Sequence, residues 1–300
     1  MAQLIKLQDY ISRYEQDMFR YPSQFIRMKK DSFHRLREQW ESEKEMPILS
    51  EPEQEEKQSL FQKIFNRKKE FNVWEEEEHR ELPLPVDEHE LKQLFLNQVF
   101  SFQLKWASST LQEVSYFDQV YETDNLLKYF LQRFPDTYLL LYQPIFKMKQ
   151  AVIEGDIIIV TPTDIMCVSV LDGASGTTYQ PVDERKWQTI DEGQVHTVVN
   201  PLIGLKRMEK MISSILQYHE LEFPIKKVVL ARNQRILNQT PAYQTEYVDL
   251  LNYEEWFDAI RKTGYPIKYQ QLKVSEALLE HTQKTFVKRP IWKEEEDHIL

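Results

Sequence analysis

The chain has 300 residues with 48 acidic and 38 basic side chains, which gives a net charge of -10. This charge excludes steering to nucleic acid by the overall field of the protein, so any phosphate-binding surface must be local. Its single cysteine, Cys167, excludes a disulfide framework or a cysteine-based zinc site within one chain. With no secretory apolar core and no apolar run near the roughly 20 residues of a membrane span, we expect a cytoplasmic protein with no membrane partner.

The first part of the chain has helical periodicity. Apolar residues recur three or four positions apart from Leu4 to Met18 and again from Phe25 to Trp40, and Pro22 between the two stripes favours a helix start. This pattern predicts N-terminal amphipathic helices over residues 1–45. Their apolar stripes suit packing on the later domain, and the alternative is packing on a protein partner or a second copy of the chain.

Residues 46–86 differ in composition from their surroundings. Four prolines and two acidic runs predict an acidic linker around one short helix, Ser59 to Lys69. Such acidic runs are usually solvated surface, and the alternative is a clamp for a basic partner. From Asp87 the helical period returns and predicts a long helix to about Glu113. This helix leads the predicted α/β domain of residues 87–300.

After a shorter predicted helix from Asp124 to Phe134, three apolar runs predict a three-stranded meander between Tyr138 and Leu171. The middle run carries Glu154 and Asp156, and side chains two positions apart on one strand share a face. This acidic pair suits the ligand set of a metal-dependent nuclease or a remnant of one. The alternative is a plain turn at a strand entrance, with both acids in solvent.

Further elements follow the meander. Two short strands are predicted at 177–180 and 195–199, and Asn200-Pro201 then opens an amphipathic helix to about His219. Pro224 to Ala231 forms another strand. Because a strand returns to the sheet after a helix, we expect a parallel crossover. The last predicted helices are Tyr253 to Lys262 and Ser275 to Thr285.

The meander, the Asn-Pro helix and the return strand together resemble the nuclease-related domain, NERD, of the restriction-endonuclease-like superfamily, over residues 118–235. In that family a strand carries a Gly-Glu-Ile-Asp type sequence, the next strand carries Glu-x-Lys, and a helix that starts Asn-Pro contains a Gln. Glu154-Gly155-Asp156 and Asn200-Pro201 look like the corresponding parts. The resemblance implies an α/β fold with a restriction-endonuclease-like mixed sheet flanked by helices and preceded by a helical N-terminal region.

The family's site positions are altered in this chain. The Glu of Glu-x-Lys falls at Ser169 and its Lys at Leu171, and the Gln falls at Gly204. On the side of the first helix, Glu122 or Asp124 could stand in for an acid that the family places there. The resemblance therefore implies a degenerate catalytic motif.

Cleavage in this family resembles metal-assisted hydrolysis, in which carboxylates hold Mg²⁺ and a lysine handles the attacking water. The resemblance assigns both the catalytic and the metal-binding role to Asp156 and Glu154, either active or vestigial. Loss of one charge-stabilising donor costs about 3–4 kcal/mol, or two to three decades in rate. Loss of both the Glu and the Lys therefore predicts little activity unless another residue substitutes.

The Asn-Pro helix carries Lys206, Arg207 and Lys210 on its outer side, which is most simply a solvated face. Alternatively, Lys206 or Arg207 replaces the missing lysine, or the three form a phosphate-contacting patch with Lys226 and Lys227. The lone Cys167 is expected to be a small buried side chain. Two histidines, at 196 and 219, have no neighbours at a spacing that indicates a triad or a metal site.

Three functional hypotheses follow. The leading one is a NERD-like protein whose nuclease site has decayed and which acts as a binding or scaffold module, with nucleic acid as a candidate ligand and no cofactor expected. The second is an active endonuclease that uses Mg²⁺, Glu154, Asp156 and a migrated lysine. In the third, the sheet is a structural core and the N-terminal helices carry the function through protein partners or self-association.

Overall fold

The computed structural model describes residues 1–45, 85–148, 151–174, 176–237, 239, 242–262 and 264–289. The predicted acidic linker lies outside these ranges except for residues 85 and 86, and its helix Ser59 to Lys69 lies wholly outside them. Two compact units make up the chain, Met1–Ser23 with Leu104–Leu300, and Gln24–Gln103. Within the described ranges, no helix combines the length and the apolar character that crossing a membrane requires.

The α-helices in the described ranges are α1 Tyr21–Glu45, α2 Glu88–Trp106, α3 Asn125–Arg133, α4 Pro201–Tyr218, α5 Tyr253–Lys262 and α6 Tyr269–Glu280. The strands are β1 Gln3–Leu7, β2 Glu113–Val114, β3 Leu139–Tyr142, β4 Ile145–Met148, β5 Ala151–Glu154, β6 Ile157–Val160, β7 Ile165–Val170, β8 Thr178–Pro181, β9 Lys186–Asp191, β10 Gln194–Val199, β11 Ile225–Leu230, β12 Arg235–Ile236, β13 Thr245–Val248 and β14 Val287–Lys288.

The first unit is built on a six-stranded sheet in the order β1-β3-β6-β7-β11-β13. The three-stranded meander is confirmed by β3, β6 and β7, which pair antiparallel, although β4 and β5 from its first two runs form a separate two-stranded sheet. β1 joins β3 in parallel, and β11 is parallel to both β7 and β13, so the predicted crossover through α4 is also confirmed. A mixed sheet flanked by helices is the α/β architecture that the sequence predicts, and it is consistent with a restriction-endonuclease-like fold.

The prediction for the N-terminus is wrong in its first half. α1 confirms the second helix, but residues 3–7 form the edge strand β1, which is buried at every position. Its polar residues are satisfied inside the protein: the Gln3 amide donates to the backbone oxygens of Pro22 and Asp136. Because a short buried strand and one turn of helix give similar apolar spacing, periodicity could not separate them here.

A second sheet of four strands has the order β10-β9-β8-β12. β8 and β10 confirm the two predicted short strands, whereas β9, between them, was missed. Its Trp187 is buried and lies with its ring 6.1 Å from that of Tyr247 in the main sheet. The strand escaped prediction because it carries mostly polar and charged residues around this one anchoring tryptophan.

Two predicted helices have different ends in the structure. α2 stops at Trp106 instead of continuing to about Glu113, and the chain there forms β2, which pairs with β14. α6 covers Tyr269–Glu280 rather than 275–285, and buried Gln271 in its first turn donates to the backbone oxygens of Thr137 and Val160. These tertiary hydrogen bonds fix the start of α6, and a local pattern does not contain them.

In its described residues, the second unit consists of parts of α1 and α2. Their pairing within this unit includes a ring contact between Phe33 and Phe95, with centroids 5.1 Å apart. The indole N–H of Trp40 donates to the backbone oxygen of Pro85 at 2.8 Å. The described part of this unit is therefore a pair of helices that share an aromatic contact.

The beginning of α4 is fixed by Asn200. Its side-chain oxygen accepts the Leu202 N–H at 2.9 Å, while its amide donates to the backbone oxygens of Asp183 and Glu184. Pro201 then occupies the first helical position, where its missing N–H costs nothing. Asn200 thus joins the helix cap to the loop before β9.

We expect Asn200→Ala to lower the free energy of unfolding by about 1–2 kcal/mol, because it removes the cap and leaves two carbonyls without their donor. Urea denaturation followed by circular dichroism measures this loss. Asn200→Asp keeps the capping oxygen but loses the amide donor, so its free energy of unfolding should lie between those of the unaltered chain and Asn200→Ala. Equal stability of Asn200→Ala and the unaltered chain would show that the cap contributes nothing.

Candidate functional site

The strand predicted to carry both acidic residues is bent. β5 ends at Glu154 in a two-stranded sheet with β4, and β6 begins at Ile157 in the main sheet. Asp156 lies between the two strands. The prediction of one continuous strand over 151–160 is therefore wrong, and alternation along a strand does not relate the two carboxylates. Glu154 is exposed at the end of β5.

The bend has a local cause in the facing segment. Gln143 takes a left-handed φ of 49°, while its N–H still donates to the Asp156 backbone oxygen at 2.7 Å. Gly155 donates to the oxygen of Pro144 at 2.9 Å. A Cβ on Gly155 would lie 3.2 Å from Cγ of Pro144, so glycine permits this close approach. The hairpin thus keeps its pairing while it changes direction.

Three positions singled out by the family pattern converge on one side of the main sheet. Ile157 pairs with Val168, so Asp156 and Ser169 come next in the same antiparallel register. A methyl group added to Gly204 of α4 would lie 3.7 Å from Oδ2 of Asp156. The altered positions therefore surround the retained aspartate, on the face of the sheet that α4 covers.

The third altered position, Leu171, directly follows β7, the strand that carries Ser169. Its N–H donates to the Leu230 backbone oxygen at 2.8 Å, so the parallel pairing of β7 with β11 continues to Leu171. Being two residues after Ser169, its side chain falls on the same face. Both side chains are partly exposed. The end of the sheet where β6 begins and β7 stops therefore presents the Asp156 carboxylate, the Ser169 hydroxyl and the Leu171 hydrocarbon side chain.

Asp156 has an unusual electrostatic environment. Its backbone N–H points to the sulfur of Met208 at 3.2 Å. Partial burial beneath α4 raises the pKa of its carboxyl above the ordinary 3.8, and the Arg207 guanidinium opposes that rise. The residue as a whole keeps exposed surface, so the carboxyl remains reachable from solvent. Arg207 also donates to the Glu154 backbone oxygen at 3.5 Å, which holds it beside the bend.

We expect Arg207→Gln to raise the pKa of Asp156 further, because it removes the nearby positive charge and leaves the desolvation. Side-chain carboxyl carbon shifts followed by NMR across an acid titration measure this change. Lys210→Gln, one turn further along the exposed side of α4, is the matched control and should move the pKa less. A pKa of Asp156 that is unchanged in Arg207→Gln would show that the guanidinium does not act on it.

A buried ion pair lies deeper on the same face. Lys227 of β11 is opposite Cys167 of β7, and its ammonium lies 2.5 Å from Oε1 of Glu209 on α4. The lysine side chain is 5% exposed and the glutamate 25%. Burial, with Glu209 nearby, raises the pKa of the Cys167 thiol to about 12, so the cysteine is an inert buried side chain as expected.

This pair corrects the predicted extension of the basic patch. Lys226 and Lys227 are neighbours on a strand and therefore point to opposite faces. Lys226 pairs with Asp164 at 2.7 Å, while Lys227 is buried against Glu209. A lysine at an inward position of the strand Ile-Lys-Lys-Val-Val-Leu was the sequence signal for a buried partner. Neither lysine extends the exposed patch of α4.

Asp124 and Glu122, the candidate acids that precede β3, do not lie at the site of Asp156. Asp124 caps α3 by accepting the N–H groups of Leu126 and Leu127, and its second oxygen accepts the Tyr142 hydroxyl at 2.7 Å. Because Tyr142 pairs with Ile157, it faces away from the side on which Asp156 lies. Glu122 is exposed at the end of a short 3-10 helix.

The donor groups at the converging positions do not fit the family's metal site. Asp156 supplies a carboxylate and Ser169 a neutral hydroxyl, while Glu209 is committed to Lys227. Across the described ranges, no group of three or more His, Cys, Asp or Glu side chains is arranged to hold a metal ion. A joint role of Glu154 and Asp156 as ligands stays a prediction.

Comparison with known proteins identifies this region. Residues 118–231 match the family model described as "Nuclease-related domain". The chain contains a nuclease-related domain. The match confirms the resemblance and includes the bend, β7, α4 and β11, so that the converging positions and the buried ion pair all lie within the nuclease-related domain.

One curated protein is similar over a short stretch. It is an RNA 2′,3′-cyclic phosphodiesterase from Geobacillus stearothermophilus, 47% identical over 45 residues, which are 15% of this chain and 14% of that protein. The chain thus matches about a seventh of that relative's length. No solved structure matches the chain. The match to the nuclease-related domain is therefore the main indication of function that these comparisons give.

Proposed function

We propose that this protein uses its nuclease-related domain to bind nucleic acid without cutting it. The observation that carries the proposal is the set of residues around Asp156. Where the family pattern has an anion, a cation and an amide, this chain has Ser169, Leu171 and Gly204. A hydroxyl, a hydrocarbon and a bare backbone cannot supply the charge stabilisation that phosphodiester hydrolysis requires.

The surface proposed for binding lies on the exposed side of α4. Lys206, Arg207 and Lys210 are exposed there, and Arg207 reaches the bend that holds Asp156. Cations in this arrangement suit phosphate oxygens, which bind without reference to base sequence. Since the whole chain carries a net charge of -10, such binding should be weak and strongly dependent on salt. The proposal includes a cytoplasmic location and requires no cofactor.

Fluorescence anisotropy with labelled single-stranded RNA, single-stranded DNA and duplex DNA over a salt series tests the binding. The triple variant Lys206→Gln, Arg207→Gln and Lys210→Gln should bind more weakly. For duplex DNA, the slope of log K against log salt concentration should become less steep by about 0.9 for each phosphate that the protein no longer neutralises. The charge-matched control replaces Arg261, Lys262 and Lys268, which are also exposed, by glutamine. Equal binding by the two triple variants would contradict a role for α4.

A specific observation favours a second candidate, an active endonuclease. Lys227 lies on the same face as Asp156, one step along that face from Ser169, and could act as a migrated lysine. Its burial against Glu209 argues against this role, because the ammonium is already paired. Cleavage that disappears in both Asp156→Ala and Lys227→Met, with each variant folded, would favour the enzyme. The third hypothesis, protein interaction through the N-terminal helices, stays a prediction.

A further inference from the structure

The far ends of α4 and α6 bring two histidines together. His219 follows α4 and His281 follows α6, and their Nε2 atoms are 3.2 Å apart. The rings are nearly perpendicular, with centroids 5.3 Å apart, and Tyr218 packs edge-on against both. By its sequence neighbours alone, His219 is an ordinary histidine, because its partner is 62 positions away.

The surroundings of this pair are acidic. Oε2 of Glu280 lies 3.7 Å from Nε2 of His219. Glu276 and Glu280 also line a small cavity of about 70 Å³, together with Glu15 and Lys284. Lys284 is engaged with Glu15 at 3.2 Å, and Glu276 of α6 is close enough to His219 and Lys273 to feel the charge of both. This local field favours a cation over an anion.

The separation of the nitrogens fits a shared metal ion. Two Zn–N bonds of about 2.0–2.1 Å at a tetrahedral angle place their nitrogens about 3.3–3.4 Å apart. A direct hydrogen bond between neutral imidazoles is the competing explanation, and a separation of 3.2 Å is compatible with it as well. Imidazole nitrogen is a preferred ligand of Zn²⁺, Cu²⁺ and Ni²⁺.

We propose that His219 and His281 form a two-histidine binding site for a divalent transition-metal ion of the zinc type. In the described ranges no further His, Cys, Asp or Glu is arranged with them as a third ligand, so water completes the coordination. The bound ion joins the C-terminal ends of α4 and α6. Because the folded chain alone holds the two nitrogens at this distance, binding stabilises the fold. The site is independent of nucleic-acid binding.

The test uses the full chain without a polyhistidine tag, freed of metal by a chelator. Zn²⁺ is titrated by calorimetry and Co²⁺ by visible absorption, with thermal unfolding measured with and without Zn²⁺. We expect His219→Gln and His281→Gln each to weaken binding more than about tenfold, because outer-shell partners alone are worth about 10- to 100-fold. Each variant should also lose the rise in melting temperature. His196→Gln on the exposed strand β10 is the matched control and should behave as the unaltered chain does.

Two results would overturn the proposal. One is wild-type affinity for Zn²⁺ in the two variants while circular dichroism shows that both are folded. The other is the absence of binding to the unaltered chain at millimolar Zn²⁺, Co²⁺ or Ni²⁺, which leaves a histidine–histidine hydrogen bond. If a variant does not fold, ring-nitrogen NMR of the unaltered chain decides instead: Zn²⁺ must shift the resonances of both histidines, and unshifted resonances refute the site.

Discussion

Lys6→Met is expected to lower the free energy of unfolding by about 3 kcal/mol, because it removes one partner of a buried ion pair and leaves Glu15 with only the partly exposed Lys284 as a counter-charge. The Lys6 side chain is fully buried in β1, and Glu15 is 5% exposed. The ammonium lies 2.6 Å from Oε1 of Glu15 and donates to the Tyr10 backbone oxygen at 2.7 Å. Methionine preserves the volume of the stem, so the loss reports on charge and hydrogen bonds.

Urea denaturation of three further variants completes this test. Lys284→Met removes the outer partner of Glu15, a lysine that is 38% exposed, and should cost much less. The double variant Lys6→Met with Glu15→Leu removes both buried charges and should recover most of the loss. Glu15→Leu alone leaves the buried Lys6 ammonium without its carboxylate partner and should be at least as harmful as Lys6→Met. A loss below about 1 kcal/mol in Lys6→Met would show that the pair is solvated like a surface salt bridge.

Ser169→Glu combined with Leu171→Lys is expected to raise DNA cleavage in the presence of Mg²⁺ by at least about two decades over the unaltered chain. The two positions lie on the face that carries Asp156, and both side chains are partly exposed, so longer charged groups can be placed there without burial. The double variant restores the anion and the cation of the family pattern beside the retained aspartate. Nicking of supercoiled plasmid measures the gain.

Two controls make this prediction specific. Adding Asp156→Ala to the double variant should abolish the gain. Ser169→Glu with Val170→Lys introduces the same charges but directs the lysine to the opposite face of β7, so it should not cut. Cutting by this second control, or a folded double variant that cuts no faster than the unaltered chain, would contradict the convergence of these positions on Asp156.

The features that could be predicted are those with strong local signals. α4 was predicted because Asn200-Pro201 provides a cap and a helix start, and because its apolar side repeats with helical period. β11 and its parallel crossover followed from an apolar run after that helix. The nuclease-related domain was identified for the same reason, since the order of these elements carries the resemblance.

Features that depend on distant partners could not be predicted. β1 became a strand because β3 pairs with it, and the bend before β6 depends on the left-handed conformation of Gln143 in the facing segment. The pairing of Lys227 with Glu209 and that of His219 with His281 join residues far apart in the chain. Without the register of the sheet, the altered site positions could be named but not shown to meet at Asp156.

Cleavage of supercoiled plasmid and of single-stranded DNA by the unaltered chain, in Mg²⁺ or Mn²⁺ and beside Asp156→Ala, tests the central claim most directly. We predict that the two proteins do not differ and that neither cuts in a metal-dependent manner, because the residues around Asp156 lack the family's anion and cation. Metal-dependent cutting by the unaltered chain that Asp156→Ala abolishes would contradict this account and establish an active endonuclease.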